Sequence, residues 1–208
     1  MMKMLRPLLL IHFFFHLHLR PSAAGPTPSS SNVNAAATDY IRASCHTTQY
    51  PDLCYTSLAS YADSVQQNPA RLARAAIGVS LSRASRLAIY VRNLTSRGDY
   101  GPDPRAGAAL HDCFSVFGDA VEQMRGSLEQ MRRLKGAGEE LAFEMSNVQT
   151  WMSAALTNEE TCTDGFEEVA DGAVKADVCD RVVKVKEVTS NALSLVNSFV
   201  ADSKVMVP

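Results

Sequence analysis

The sequence predicts an all-α protein: an up-down-up-down four-helix bundle with an N-terminal helical hairpin and two disulfides. Three observations carry that reading. Apolar residues recur at spacings of 3, 4 and 7 through four long stretches, the pattern of helices that bury one face. Aromatic residues make up only 7% of the chain and alanine is abundant, so closely packed helices fit better than a sheet. Helix starts and turns fall at intervals that leave long helices joined by short connections to antiparallel neighbours.

Taken in order, Met1 to Ala24 has a basic start (Lys3, Arg6), an apolar middle from Leu8 to Leu19, and Ser22-Ala23-Ala24 before Gly25. This is the layout of a cleaved signal peptide, 1–24. The apolar run is too short for a membrane anchor and is interrupted by His12, His16 and His18. The remaining protein is therefore expected to be soluble, exported and in oxidising surroundings. Residues 25–38, rich in Pro, Ser and Ala without a periodic apolar face, read as a flexible leader. The helical domain is assigned to 39–204.

Within it, Tyr40, Ile41, Cys45 and then Pro51, Leu53, Cys54, Leu58 predict two short helices folded back on one another, with Pro51 opening the second. The spacing of Cys45 and Cys54 suits a clasped hairpin. Asn68-Pro69 is a strong helix start, and that helix runs to about Arg97 with Leu72, Ala76, Val79, Leu87, Tyr90 and Leu94 inward. Asp103-Pro104 repeats the signal for a helix to about Lys135, whose stripe is Leu110, Cys113, Phe117, Ala120, Met124 and Met131. A turn at Gly136-Ala137-Gly138 leads into a third long helix, with Val148, Trp151, Ala155 and Cys162 on its apolar face and Asp164-Gly165 at its end. Trp151 is expected in the core. From Asp177 to Ala201, Val182, Val183, Val185 and Val188 favour a strand. However, Val178, Val182, Val185, Ala192, Val196 and Phe199 keep a 4-3 spacing, and a lone strand would leave its edges unpaired, so a helix is expected. Four cysteines permit three pairings; helix register selects Cys113 with Cys162 and leaves Cys45 with Cys54. Cys179 remains as a buried free thiol.

Charge and motifs narrow the function. The signal takes three basic residues and no acid from 20 Lys and Arg against 22 Asp and Glu, leaving a net charge of −5. Arginines between Arg71 and Arg105 are spread along a helix, so no nucleic-acid partner is expected. Only His46 and His111 follow the signal, which argues against a His-based metal site. No phosphate loop, nucleophile elbow or zinc motif occurs, and neither a cofactor nor a metal is expected. His111-Asp112-Cys113 cannot form a relay, because consecutive helical residues point apart and a disulfide sulfur is no nucleophile. Asn93-Leu94-Thr95 is an acceptor pattern for N-glycosylation at Asn93. The polar run Thr157, Asn158, Glu159, Glu160, Thr161, Asp164, held beside a disulfide, suits a recognition surface better than a reaction centre.

The run VQTWMSAALTNEETCTDGF resembles the hallmark segment of plant pectin methylesterase inhibitors, a family shared with invertase inhibitors. ALHDCFSVFGDAVEQM, the Cys45 and Cys54 hairpin, and Cys179 near the start of the last helix extend the resemblance over Tyr40 to Phe199. It implies the bundle and disulfides above, and inhibition by a stoichiometric, non-covalent complex in which the second, third and fourth bundle helices cover the enzyme's cleft. The Pro-Lys-Phe sequence frequent in invertase inhibitors is absent, so invertase stands as the alternative target. Carried over residue by residue, the resemblance places Asp119, Glu122, Thr161 and Asp164 in a polar rim against the enzyme, flanked by Thr157 and Asn158. A position acidic in some relatives is Ser115 here. It further implies a secreted protein of the apoplast and cell wall, monomeric when free, whose binding responds to wall pH through these carboxylates.

Overall fold

Asn68 opens the first long helix as its spacing predicts, accepting the Arg71 backbone amide on its side-chain oxygen at 2.9 Å. The computed structural model describes residues 30–98, 100–101, 103–135 and 138–205. The expected signal peptide at 1–24, the first residues of the leader and the turn residues Asp99, Pro102, Gly136 and Ala137 lie outside the described residues. In chain order the helices are α1 Ser30–Cys45, α2 Pro51–Leu58, α3 Ala62–Val65, α4 Pro69–Arg97, α5 Arg105–Arg133, α6 Glu139–Asp164 and α7 Ala173–Val205. No strand occurs among the described residues.

The four long helices form a ring in which α4 packs on α5 and α7, and α6 packs on the same two neighbours. α4 and α6 are therefore diagonal. Their inward faces supply the core: Leu72, Ile77 and Val91 from α4, Leu110, Phe117 and Met124 from α5, Met145 and Met152 from α6, Val178, Val182 and Val196 from α7. The valine-rich segment is helical because burial outweighs local preference. Val178, Val182, Val185, Ala192, Val196 and Phe199 are all buried, whereas Val183, off the stripe, is exposed.

Two readings of the sequence need correction. The leader at 25–38 is not wholly irregular, since Ser30 to Thr38 are helical and continue unbroken to Cys45. Ala35, Ala36 and Ala37 are strong helix formers, and Ala37 sits one turn before Ile41 and two before Cys45 on a stripe that is buried throughout. On α6 the core position is Met152 rather than Trp151. Trp151 is half-buried on the shoulder of that stripe, and its ring lies over Gly126 of α5, where a Cβ would sit 3.5 Å away.

Both expected disulfides are present: Cys45 to Cys54 between α1 and α2, and Cys113 to Cys162 between α5 and α6. The hairpin is fastened to the bundle by Asn191 of α7. Its side-chain oxygen accepts the Tyr50 amide at 3.0 Å and its amide group donates to the Tyr50 carbonyl at 2.9 Å.

Candidate functional site

Helix register decides what the α5/α6 side of the bundle presents. α5 and α6 run antiparallel, cross-linked near one end by Cys113 to Cys162. Farther along, the Asn158 amide group donates to Gln123 Oε1 at 3.0 Å. These two links place Thr157, Asn158 and Thr161 at the level of the α5 segment between Ser115 and Gln123. Asp119 lies one turn before Gln123 on the same side of α5 and is exposed. Glu122 is also exposed and pairs with Arg125 one turn on. On α6, Thr157, Thr161 and Asp164 are exposed and Asn158 is half-buried. Asp119, Glu122, Thr157, Asn158 and Thr161 thus share one strip, with Asp164 continuing it past the disulfide to the helix end. Ser115, one turn from Asp119, is exposed in the same strip.

The hydroxyls of this strip are already engaged with their own backbone. Thr157 donates to the Ser153 carbonyl at 3.2 Å and Thr161 to the Thr157 carbonyl at 2.9 Å. Such bonds fix the rotamers and leave the oxygen lone pairs facing outward as acceptors. A surface so ordered loses little side-chain entropy when a partner covers it.

Beneath the strip lies a residue whose burial was missed at the sequence level. Glu159 has no exposed surface; Thr189 of α7 donates to its Oε1 at 2.9 Å, and Oε2 has no hydrogen-bond partner. Burial pushes its pKa up to about 8, against the Thr189 hydrogen bond and the charge of Lys186, which favour the ionised form. The signal was present in the spacing. Met152, Ala155, Glu159 and Cys162 follow one another at 3, 4 and 3, so position 159 belongs to the buried stripe whatever its side chain. Glu160, next in sequence, points out and pairs with Lys186 at 2.9 Å.

His111, Asp112 and Cys113 give no relay: His111 and Asp112 are exposed and Cys113 is buried in its disulfide. Cys179 is half-buried rather than fully buried, and burial pushes its thiol pKa up, which keeps it protonated. Asn93 is exposed within α4. Among the described residues no helix is long and apolar enough to cross a membrane.

Comparison with known proteins matches this arrangement. Residues 39–195 fit the family model described as Plant invertase/pectin methylesterase inhibitor. The chain is 43% identical over 172 residues to "21 kDa protein" of Daucus carota, covering 82% of this chain and 88% of that one. It is 41% identical over 194 residues to "Pectinesterase inhibitor 9" of Arabidopsis thaliana, covering 91% and 92%. The fold is also that of a crystal structure of a pectin methylesterase inhibitor from Arabidopsis thaliana, with a TM-score of 0.53, 19% identity, and 87% of this chain and 99% of that chain covered. On sequence and fold together, the chain belongs to the plant invertase/pectin methylesterase inhibitor family.

Proposed function

We propose that this protein is a secreted inhibitor of pectin methylesterase, not itself an enzyme. It binds its target as a stoichiometric, non-covalent complex over the pectin-binding cleft and so limits demethylesterification of homogalacturonan in the apoplast. The observation that carries this reading is the ordered polar strip of Asp119, Glu122, Thr157, Asn158, Thr161 and Asp164, stiffened by a disulfide between the two helices that bear it. A relative named "Pectinesterase inhibitor 9", similar along nearly its whole length, favours pectin methylesterase over invertase as the target. The free inhibitor is monomeric in this reading, and Asn93, exposed on α4, accepts an N-glycan.

The test is titration of purified protein into pectin methylesterase and into cell-wall invertase, with demethylation and sucrose cleavage as readouts. Inhibition of the first at one-to-one stoichiometry, with the second untouched, is expected. Alanine at Asp119, Glu122, Thr161 or Asp164 weakens the complex by about tenfold at the positions that anchor it. Four folded single variants that all inhibit like wild type would remove the strip from the interface.

A further inference from the structure

α4 carries six arginines in 29 residues, Arg71, Arg74, Arg83, Arg86, Arg92 and Arg97, and no acid. Along the sequence they look dispersed. The packing of α4 on α7 gathers Arg83 and Arg86 with Arg181 and Lys184 around one open groove of about 280 Å³, floored by Leu87, Tyr90 and Val185. Asp177 is the acid engaged there among the described residues; it pairs with Arg181 at 2.9 Å and accepts a hydrogen bond from the Tyr90 hydroxyl. Arg83 and Arg86 donate only to neutral hydroxyls, those of Ser57 and Ser82. Among the described residues, neither they nor Lys184 forms an ion pair. Arg83, Arg86 and Lys184 thus border the groove without a direct ion-pair partner among the described residues.

We propose that this groove binds de-esterified homogalacturonan, the carboxylate-bearing polymer that pectin methylesterase leaves behind. This rests on the enzyme target proposed above. Guanidinium forks bind carboxylates in bidentate geometry. Arg83 and Arg86 stand one turn apart on one bank and Lys184 on the other, so the groove offers cations from both sides to a chain that carries repeated carboxylates. A single-stranded nucleic acid fits less well, since the one aromatic ring, Tyr90, is covered by the Arg181 guanidinium at 4.3 Å, leaving no platform for bases to stack on. In the ring of four helices, the α4/α7 groove is on the side opposite the α5/α6 strip. The inhibitor can therefore hold newly exposed uronate on one side while it engages the enzyme with the other.

Binding is measured by calorimetry at low salt, without calcium, using a de-esterified oligogalacturonate, the same oligomer fully methyl-esterified, dextran sulfate and single-stranded RNA. Assembly with pectin methylesterase is followed in parallel by gel filtration without pectin. The de-esterified oligomer is expected to bind, the methyl ester is not, and added salt weakens the complex. Arg86→Glu, at an exposed position of α4, weakens it by about tenfold and leaves assembly with the enzyme unchanged. Absent binding, equal binding of the methyl ester, indifference to the charge reversal, or equal affinity for dextran sulfate or RNA would each overturn the proposal. Enzyme assembly without oligomer binding refutes the groove alone; oligomer binding without enzyme assembly refutes the inhibitor reading alone.

Discussion

A carboxyl group with no exposed surface sets a pH dependence that the rest of the chain cannot hide. Glu159 is more stable neutral than ionised in the fold because burial outweighs both Thr189 and Lys186. Its folded pKa, about 8, stands above the ordinary value of 4.5, so the folded state keeps a proton that the unfolded chain releases. The stability this confers is complete below the unfolded value, falls as pH rises through the interval, and is gone above the folded value. The slope reaches at most about 1.4 kcal/mol per pH unit. Thermal midpoints should therefore decline between about pH 5 and pH 8. Glu159→Gln keeps an acceptor for Thr189 and should flatten the decline; a variant curve as steep as that of wild type would refute the assignment. Asp103 shows the opposite case at the surface. The Arg105 side chain, with the Ala170 and Arg105 amides, holds its carboxyl well below the usual range.

At the scale of elements, the two disulfides close loops of very different length, 9 and 49 residues apart in sequence. If they act on the unfolded chain, Cys113→Ser with Cys162→Ser should cost roughly 4 kcal/mol, and Cys45→Ser with Cys54→Ser roughly 2.7 kcal/mol. Chemical denaturation of the two double variants orders them, and the opposite order would mean that native packing, not chain entropy, dominates. The α3 to α4 connection holds a second test. Gln66 and Gln67 both have positive φ, 49° and 58°, a region that costs a residue with a Cβ about 1 kcal/mol or more. Gln66 accepts a hydrogen bond from Arg71. Gln67→Gly relieves the strain without touching that bond and should stabilise the protein by roughly 0.5 kcal/mol.

For the molecule as a whole, Asn191 is the side chain that couples the hairpin to the bundle. Asn191 is 3% exposed and satisfies both backbone groups of Tyr50. Asn191→Ala leaves an amide and a carbonyl without partners and should cost roughly 2 to 3 kcal/mol. It should also release α1 and α2 first, seen as faster amide exchange in the hairpin than in α4 to α7. Uniform loss of protection across all helices would show instead that hairpin and bundle form one cooperative unit.

The sequence alone determined the four long helices and most of their inward stripes, and register among three possible pairings selected the disulfides, because a 3.6-residue period leaves a one-dimensional record of a buried face. Val178 to Phe199 was legible as a helix against its own strand preference for that reason. The record misled where residue type was read ahead of position: Glu159 looked exposed because it is charged, and 30–38 looked irregular because Ser and Pro precede its alanines; Trp151 is in step with Val148 and Ala155 but falls on the shoulder of a stripe that also holds Met152. What the tertiary structure alone decided is how α7 closes the ring against α4. The Cys113 to Cys162 pairing already makes α5 and α6 neighbours and so gives the polar strip, whereas the basic groove exists because α7 brings Arg181 and Lys184 up to arginines about 100 residues earlier. Proximity between helices depends on how ridges pack into grooves across the whole core, and no spacing within a single helix encodes it.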